Sequence, residues 1–239
     1  MNIALIGYGK MGKAIEEIAL KRGHNIVLKT SIDNLEDNTE ENVRRADVAI
    51  EFTGPDSAYG NIMLCLKAGV PVVSGSTGWL DKHFADVKQY CLEEGKTFLY
   101  ASNFSVGVNI FFEVNRRLAE LMAPHPDYEV RITEIHHTEK KDAPSGTAIT
   151  LAEQIQGKIP RKKRWVNHIS DNLEELSILS QRTDPAPGTH MVRYHSAIDD
   201  IEIIHTAHSR MGFATGAVLA AEYIRDKKGL FQMKDVLGF

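Results

Sequence analysis

Apolar positions along the 239-residue chain change their period near the middle. In the first half, short and nearly continuous apolar runs alternate with stretches at helical spacing. NIALIG (2–7) is one such run, ending in glycine, as a strand buried within a parallel sheet would. MGKAIEEIALKR (11–22) carries Met11, Ile15, Ile18 and Leu20 at roughly helical spacing, and Arg22-Gly23 gives it a basic last turn and a stop. NIVLKTSID (25–33), ADVAIEFT (46–53), VPVVSGS (70–76) and TFLYASN (97–103) predict four more strands, with a helix over 56–68 and helical sequence before the last strand. Strand and helix alternating at this interval predict right-handed crossovers and a doubly wound parallel sheet, an α/β fold.

The second half reads differently. NIFFEVNRRLAELMA (109–123) predicts a long amphipathic helix, and YEVRITEIHHTEK (128–140) alternates like a strand exposed on one side. DAPSGTAITLAEQIQ (142–156) opens with a Pro-Ser-Gly turn and continues as a helix. GKIPRKKRW (157–165) is basic and loop-like. Residues 176–180, 190–196 and 201–208 suggest antiparallel strands, and 213–228 a final helix. The composition shift near residue 104 marks a domain boundary, so a mixed α+β domain follows the parallel one.

Composition removes whole classes. At 43% hydrophobic and 25% charged residues the chain is an ordinary globular one, neither disordered nor a disulfide scaffold. A net charge of −4 predicts no bulk attraction to nucleic acid or anionic lipid. No apolar run reaches membrane-spanning length, and the start MNIALIGYGK is too short in its apolar part for a secretory signal. Cys65 and Cys91 form no CxxC pair and read as reduced thiols of a cytoplasmic protein.

Gly7-Tyr8-Gly9-Lys10-Met11-Gly12 fits G-x-G-x-x-G, after a predicted strand and at the start of a predicted helix. Gly7 would allow the tight turn, Gly9 a close approach of a pyrophosphate, and Gly12 close packing of the helix. The phosphates would sit on unpaired N–H groups at the helix start. Asp33, 21 residues past Gly12, is placed to hold the adenosine ribose hydroxyls. Asp33 disfavours a 2′-phosphate, whereas Lys29 and Lys10 could each reach one, so NADH and NADPH both stay open. Phe52-Thr53, Gly75-Ser76-Thr77 and Ala101-Ser102-Asn103-Phe104 end further strands and should line the same cleft.

Glu134 to Thr147 holds two histidines, two lysines and a Ser-Gly-Thr turn before a helix. Such a set suits an anion: Ser145, Gly146 and Thr147 open a helix N-terminus, Lys140 adds a charge, and a histidine can donate a proton near neutral pH. The spacing fits no zinc motif, so no metal is expected. His136 and His137 point to opposite faces of a strand, and could meet one ligand only if the strand bends or ends there.

The run E-I-H-H-T-E-K-K-D-A-P-S-G-T-A resembles the signature of the 4-hydroxy-tetrahydrodipicolinate reductase (dihydrodipicolinate reductase) family of diaminopimelate and lysine biosynthesis. The glycine loop, E-F-T-G-P-D (51–56), G-S-T-G-W (75–79), A-S-N-F-S-V-G-V-N (101–109), S-R-M-G-F-A-T-G-A-V (209–218) and G-L-F-Q-M-K-D-V-L (229–237) agree in order, so the resemblance spans nearly the whole chain.

The resemblance implies an oxidoreductase using NADH or NADPH on a dicarboxylate substrate. It places the acid/base histidine on His136, the lysine proton donor on Lys140, and substrate-carboxylate contacts on His137, Lys140, Ser145, Gly146 and Thr147. Cofactor contacts fall on Gly7 to Gly12, Asp33, Phe52, Thr53, Gly75 to Thr77 and Ala101 to Phe104; Arg210 and Phe213 match a segment near the active cleft. It further implies a Rossmann domain (1–104 plus 214–239), a substrate-binding and tetramerisation domain (105–213), and a homotetramer. The competing readings are another two-domain nicotinamide dehydrogenase, which leaves His136–Thr147 unexplained, and a nucleotide-sensing regulator. Arg161-Lys162-Lys163-Arg164 is the regulator's only candidate for binding DNA, and such a run is ordinarily solvated surface.

Overall fold

The computed structural model describes residues 1–186, 188–209 and 211–239. The chain begins β1 (Asn2–Ile6), α1 (Lys10–Lys21), β2 (Asn25–Thr30), α2 (Glu40–Val43), β3 (Val48–Glu51), α3 (Pro55–Lys67), β4 (Val72–Ser74), α4 (Leu80–Glu93) and β5 (Thr97–Tyr100). It continues α5 (Val106–Met122), β6 (Glu129–His136), α6 (Gly146–Lys158), β7 (Arg164–Val166), β8 (Glu175–Arg182), β9 (Thr189–His195) and β10 (Asp200–Thr206). It closes with α7 (Met211–Ile224), β11 (Gly229–Phe231) and α8 (Met233–Leu237). Two compact units result: Met1–Val106 with Met211–Phe239, and Gly107–Arg210.

The first unit is a six-stranded sheet, ordered β11-β5-β4-β3-β1-β2, with every pairing parallel. The pleat of β1 explains its continuous apolar run. Ile3 and Leu5 face Ile15 and Ala19 of α1 and Ala214, Ala217, Val218, Ala221 and Ile224 of α7. Ala4 and Ile6 face Ala58, Ile62, Cys65 and Leu66 of α3 and Val87 and Cys91 of α4. Both cysteines are free and buried, and burial pushes their thiols up to about 12 and about 11, so they stay protonated. β11 and α8 were not evident from the sequence, because GLF is too short to show a period.

The second unit is a five-stranded mixed sheet, ordered β10-β9-β6-β8-β7. β9 pairs antiparallel with β6 and β10. The expectation of an antiparallel strand at 176–180 is corrected: β8 runs parallel to β6 and to β7. The chain leaves β6 and returns through α6, a crossover long enough to bring the next strands in with the same direction. β6 stops at His136 rather than continuing to 140. Its buried face, Val130 and Ile132, packs with Leu151, Ala152 and Ile155 of α6.

The basic run is also corrected. Lys162 is 2% exposed, and its ammonium donates to Glu129 and to the Glu175 carbonyl. Arg161 donates to the Tyr128 carbonyl, and Arg164 pairs with Glu175. Arg161, Lys162 and Arg164 tie the start of β6 to β7 and β8, while Lys163 and Arg164 stay exposed as a solvated run would be. Among the described residues no helix is long and apolar enough to cross a membrane.

Helix α7 fits its sheet only because its inner face is small. A Cβ at Gly216 would stand 1.7 Å from the Phe104 carbonyl oxygen. Gly216→Ala should therefore cost at least roughly 1–3 kcal/mol through overpacking. Gly60, inside α3 with open space at its Cβ position, should gain up to about 1 kcal/mol as alanine. Urea unfolding of both variants checks this; equal midpoints would refute the tight contact at Gly216.

Candidate active site

The glycine loop runs from β1 to α1. Gly7 has φ +100°, and a Cβ there would meet the Phe52 carbonyl oxygen at 2.2 Å. A Cβ at Gly12 would meet the Gly7 carbonyl oxygen at 2.5 Å, whereas at Gly9 it would meet nothing within 4 Å. The first and third glycines thus form the turn, and the middle one leaves open space. Gly9 N-caps α1 with no side-chain hydrogen bond, so the helix start presents its N–H groups to that space. These features fit the pyrophosphate of a dinucleotide.

Two hollows flank the loop. One, of about 400 Å³, is lined by Gly9, Lys10, Met11, Phe52, Thr53, Gly75, Ser76 and Thr77 among others. The ends of β3 and β4 therefore meet the glycine loop. The organiser of these strand ends is a residue to which the sequence reading gave no role. The carboxylate of Glu51 is 0% exposed. It accepts from Thr53 N (2.8 Å), Thr53 Oγ1 (2.5 Å), Ser74 Oγ (2.6 Å) and Ser76 Oγ (2.7 Å). The Trp79 indole N–H donates to the Ser76 carbonyl at 2.8 Å and fixes the loop from its far end. Phe104 packs its ring in the core, 5.5 Å from that of Phe52, while Ser102 is exposed and Asn103 accepts from Ser105 N. Ala101 is buried in the same core.

The second hollow, of about 610 Å³, is lined by Gly7, Tyr8, Gly9, Ser31, Asp33, Asn38, Thr53 and Asn61 among others. Asp33 is exposed there, beside Ser31. Lys29 is engaged: its ammonium is 3.2 Å from Glu16 and 4.9 Å from the centroid of the Tyr8 ring, and Glu16 also accepts from the Tyr8 hydroxyl. That hydroxyl is held above its ordinary pKa by the Glu16 carboxylate.

In the second unit, strand register assembles a cluster at the end of β6. Val130, Ile132, Glu134 and His136 share its buried face, so the core turns polar over its last four residues. Glu134 lies opposite His190 of β9 and Ser180 of β8, and His136 opposite Arg182. The Glu134 carboxylate is 0% exposed and accepts from Ser145 N with both oxygens (3.1 and 3.2 Å) and from Arg182 Nη2 (3.2 Å). His136 Nδ1 is 3.3 Å from Glu134 Oε2, in ion-pair reach without the alignment of a hydrogen bond. Burial alone would raise the pKa of Glu134; contacts with His136, Ser145, Ser180 and Arg182 overcome it and hold the carboxyl far below the usual range. The His190 ring stands edge-on to that of His136, 5.1 Å between centroids, and its Nε2 is 3.1 Å from Ser145 Oγ.

β6 ends at His136, so His137 leaves the strand. Residues 137–145 then loop to α6, whose N-cap Ser145 accepts from Ala148 N. Space for a Cβ at Gly146 is open, which leaves the helix start accessible to an anion. Lys140 Nζ lies 2.8 and 2.9 Å from the oxygens of Asp142. Arg182 holds the loop backbone, donating to the Lys140 carbonyl (3.3 Å) and the Asp142 carbonyl (2.6 Å). A Cβ at Gly188 would stand 3.2 Å from His136 Nε2, so a larger residue would crowd that atom. Phe213 lies in the first turn of α7; Arg210 lies outside the described residues.

Glu134, His136 and His190 bring ligand-type atoms within 4.8 Å of one another, as a divalent cation would need. A guanidinium and a backbone N–H already point at the same carboxylate, which disfavours a cation there. Glu134, Arg182, His190 and Gly188 carry no role in the sequence reading. The alternation of β6 links Glu134 to His136, but pairing with β8 and β9 was not readable from spacing.

His190 supplies a pH test. Burial, then the neighbouring His136, pushes it down to about 4. An unfolded histidine titrates near 6.5. Below that pH the unfolded chain takes up a proton that the folded chain refuses until about pH 4. Stability should therefore fall by on the order of 2 kcal/mol between about pH 7 and about pH 5. Urea unfolding at both pH values should show His190→Gln losing much less than the unsubstituted chain; equal losses would remove His190 as the source.

The profile described as "Dihydrodipicolinate reductase, N-terminus" matches residues 1–104, and that described as "Dihydrodipicolinate reductase, C-terminus" matches residues 107–237. A 4-hydroxy-tetrahydrodipicolinate reductase from Christiangramia forsetii is 53% identical over 237 residues, covering 99% of this chain and 98% of its own. One from Methanosarcina barkeri is 37% identical over 212 residues, covering 87% and 79%. A solved dipicolinate-bound dihydrodipicolinate reductase from Paenisporosarcina sp. TG-14 shares the fold, with a TM-score of 0.78 at 22% identity and 97% of each chain covered. With both parts of the sequence matched, and a relative of more than half identity along nearly all of it, the chain belongs to the dihydrodipicolinate reductase family.

Proposed function

We propose that the glycine-loop hollows and the Glu134–Thr147 cluster carry out the NAD(P)H-dependent reduction of 4-hydroxy-tetrahydrodipicolinate to tetrahydrodipicolinate, in lysine and diaminopimelate biosynthesis. Membership of the family supports the reaction and the use of NAD(P)H. The observation that carries the assignment of residues is the meeting of His136, the Lys140 loop and the open start of α6 at one end of β6.

NAD(P)H, when bound, supplies the hydride. Gly7 to Gly12 would hold its pyrophosphate, Asp33 its adenosine ribose, and Phe52, Thr53, Gly75, Ser76, Thr77 and Ala101 to Phe104 its nicotinamide half. His137, Ser145, Gly146 and Thr147 would bind the substrate carboxylates, with N–H groups and the helix start favouring negative charge. Lys140 would leave Asp142 for the substrate and stabilise charge that builds as hydride arrives. His136 would then deliver the proton. Its Nδ1 is turned to Glu134, so Nε2 is the atom left for the substrate.

The family resemblance also supports a cytoplasmic homotetramer built through the second unit. Ile201 and Ile204 of the edge strand β10 are 37% and 53% exposed, apolar surface suited to burial against another copy.

A coupled assay tests the reaction. Dihydrodipicolinate synthase with pyruvate and aspartate semialdehyde generates the substrate, and loss of nicotinamide absorbance is followed with NADH and NADPH in parallel. Oxidation that depends on the synthase and is inhibited by dipicolinate is the expected result; none with either cofactor would overturn the reading. In the same assay His136→Gln should lower kcat by about 10²–10⁴-fold with little change in NADH affinity. Lys140→Ala should raise KM and lower kcat together. Wild-type kinetics in either variant would remove that residue's role.

A further inference from the structure

We propose that Glu134 and Arg182 are positioning residues that align the proton-donating histidine, the Lys140 loop and the carboxylate-binding start of α6 as one unit. The inference rests on the roles given above to His136 and Lys140. A buried ion pair is not in itself a stabilising device, since well-packed apolar residues often replace one without loss. What distinguishes this pair is where its remaining hydrogen bonds go. Both oxygens of Glu134 hold Ser145 N, the residue before the open helix start. Arg182 donates to the carbonyls of Lys140 and Asp142, in the middle of the loop that carries the lysine. The pair thus holds the loop at its middle and at its junction with α6, from two adjacent strands in parallel register.

The pair also sets the charge around His136. From β6 that ring faces the Glu134 carboxylate at 3.3 Å. From β9 it faces His190, which is neutral at pH 7. From β8 it lies in register with Arg182, whose guanidinium is on Glu134, and the loop beyond β6 adds His137, Lys140 and Asp142, the last two paired with each other. Glu134 is the carboxylate in this set that stands next to Nδ1, so it turns that nitrogen inward and leaves Nε2 for the substrate.

The test is kcat and substrate KM in the coupled assay, with NADH binding followed separately by protein fluorescence. Glu134→Gln keeps the shape and removes the charge. It should lower kcat about tenfold or more, with a smaller change in substrate KM. Glu134→Asp, which keeps the charge, should recover part of the loss. Arg182→Gln should raise substrate KM about tenfold or more, with a smaller fall in kcat, and Arg182→Lys should recover part of the loss. NADH affinity should stay within about twofold throughout. A Glu134→Gln kcat equal to wild type, or lowered only in step with the folded fraction, would mean a merely structural role and overturn the alignment of His136. An unchanged KM in Arg182→Gln would overturn the clamp. Should Glu134→Gln fail to fold, unchanged kcat and KM in both Glu134→Asp and Arg182→Gln would overturn it equally. An inactive wild-type chain is a separate outcome, which defeats the proposed reaction rather than the pair.

Discussion

A carboxylate taken out of water must be surrounded by donors or lose its charge, and the ends of two strands in this protein are organised by that requirement. Glu51 closes β3 and Glu134 lies near the end of β6, each at 0% exposure. Neither carboxyl group is satisfied by its own strand. Glu51 draws in Thr53, Ser74 and Ser76, and so fixes the loops after β3 and β4 beside the glycine loop. Glu134 draws in Ser145 and Arg182, and so fixes the loop after β6 and the start of α6. In both units the apolar interior ends in one buried carboxyl group, and the loops that follow the strands are its hydrogen-bond donors. This ties chemistry to stability, because a loop that shifts leaves a buried carboxylate short of partners.

Much of this was legible in the residues. The strand-helix alternation up to residue 104, the glycine loop and the helix starting at Gly146 follow from local rules, because buried parallel strands, glycine turns and helix caps each leave a mark within a few residues. The meeting of Gly9, Thr53, Gly75 and Ser76 was legible too, since parallel strands deliver their ends to one side of the sheet.

What was not legible depends on partners distant in sequence. β8 reads as a strand, but its direction is set by the crossover through α6. The role of Arg182 rests on its register with His136, 46 residues apart in the chain, and that of His190 on its register with Glu134. The basic run 161–164 misleads because burial of Lys162 requires Glu129 and the Glu175 carbonyl, neither of them adjacent. Three-residue β11 carries too little pattern to identify, although it completes the first sheet.

The small inner face of α7 has a consequence for how the chain is made. Ile3, Leu5, Val73 and Leu99 are covered by a helix that starts at Met211. The first unit therefore emerges from the ribosome with one side of its sheet covered only in part, by α1, and stays so until α7 follows. The second unit is one uninterrupted segment and holds all of its strands by Thr206. The usual order, in which the N-terminal unit folds first during synthesis, does not apply to a first unit whose sheet is completed only by residues made after the second. The C-terminal residues act as a late closure: a chain cut near residue 206 would contain every strand of the second unit and lack α7, β11 and α8 of the first.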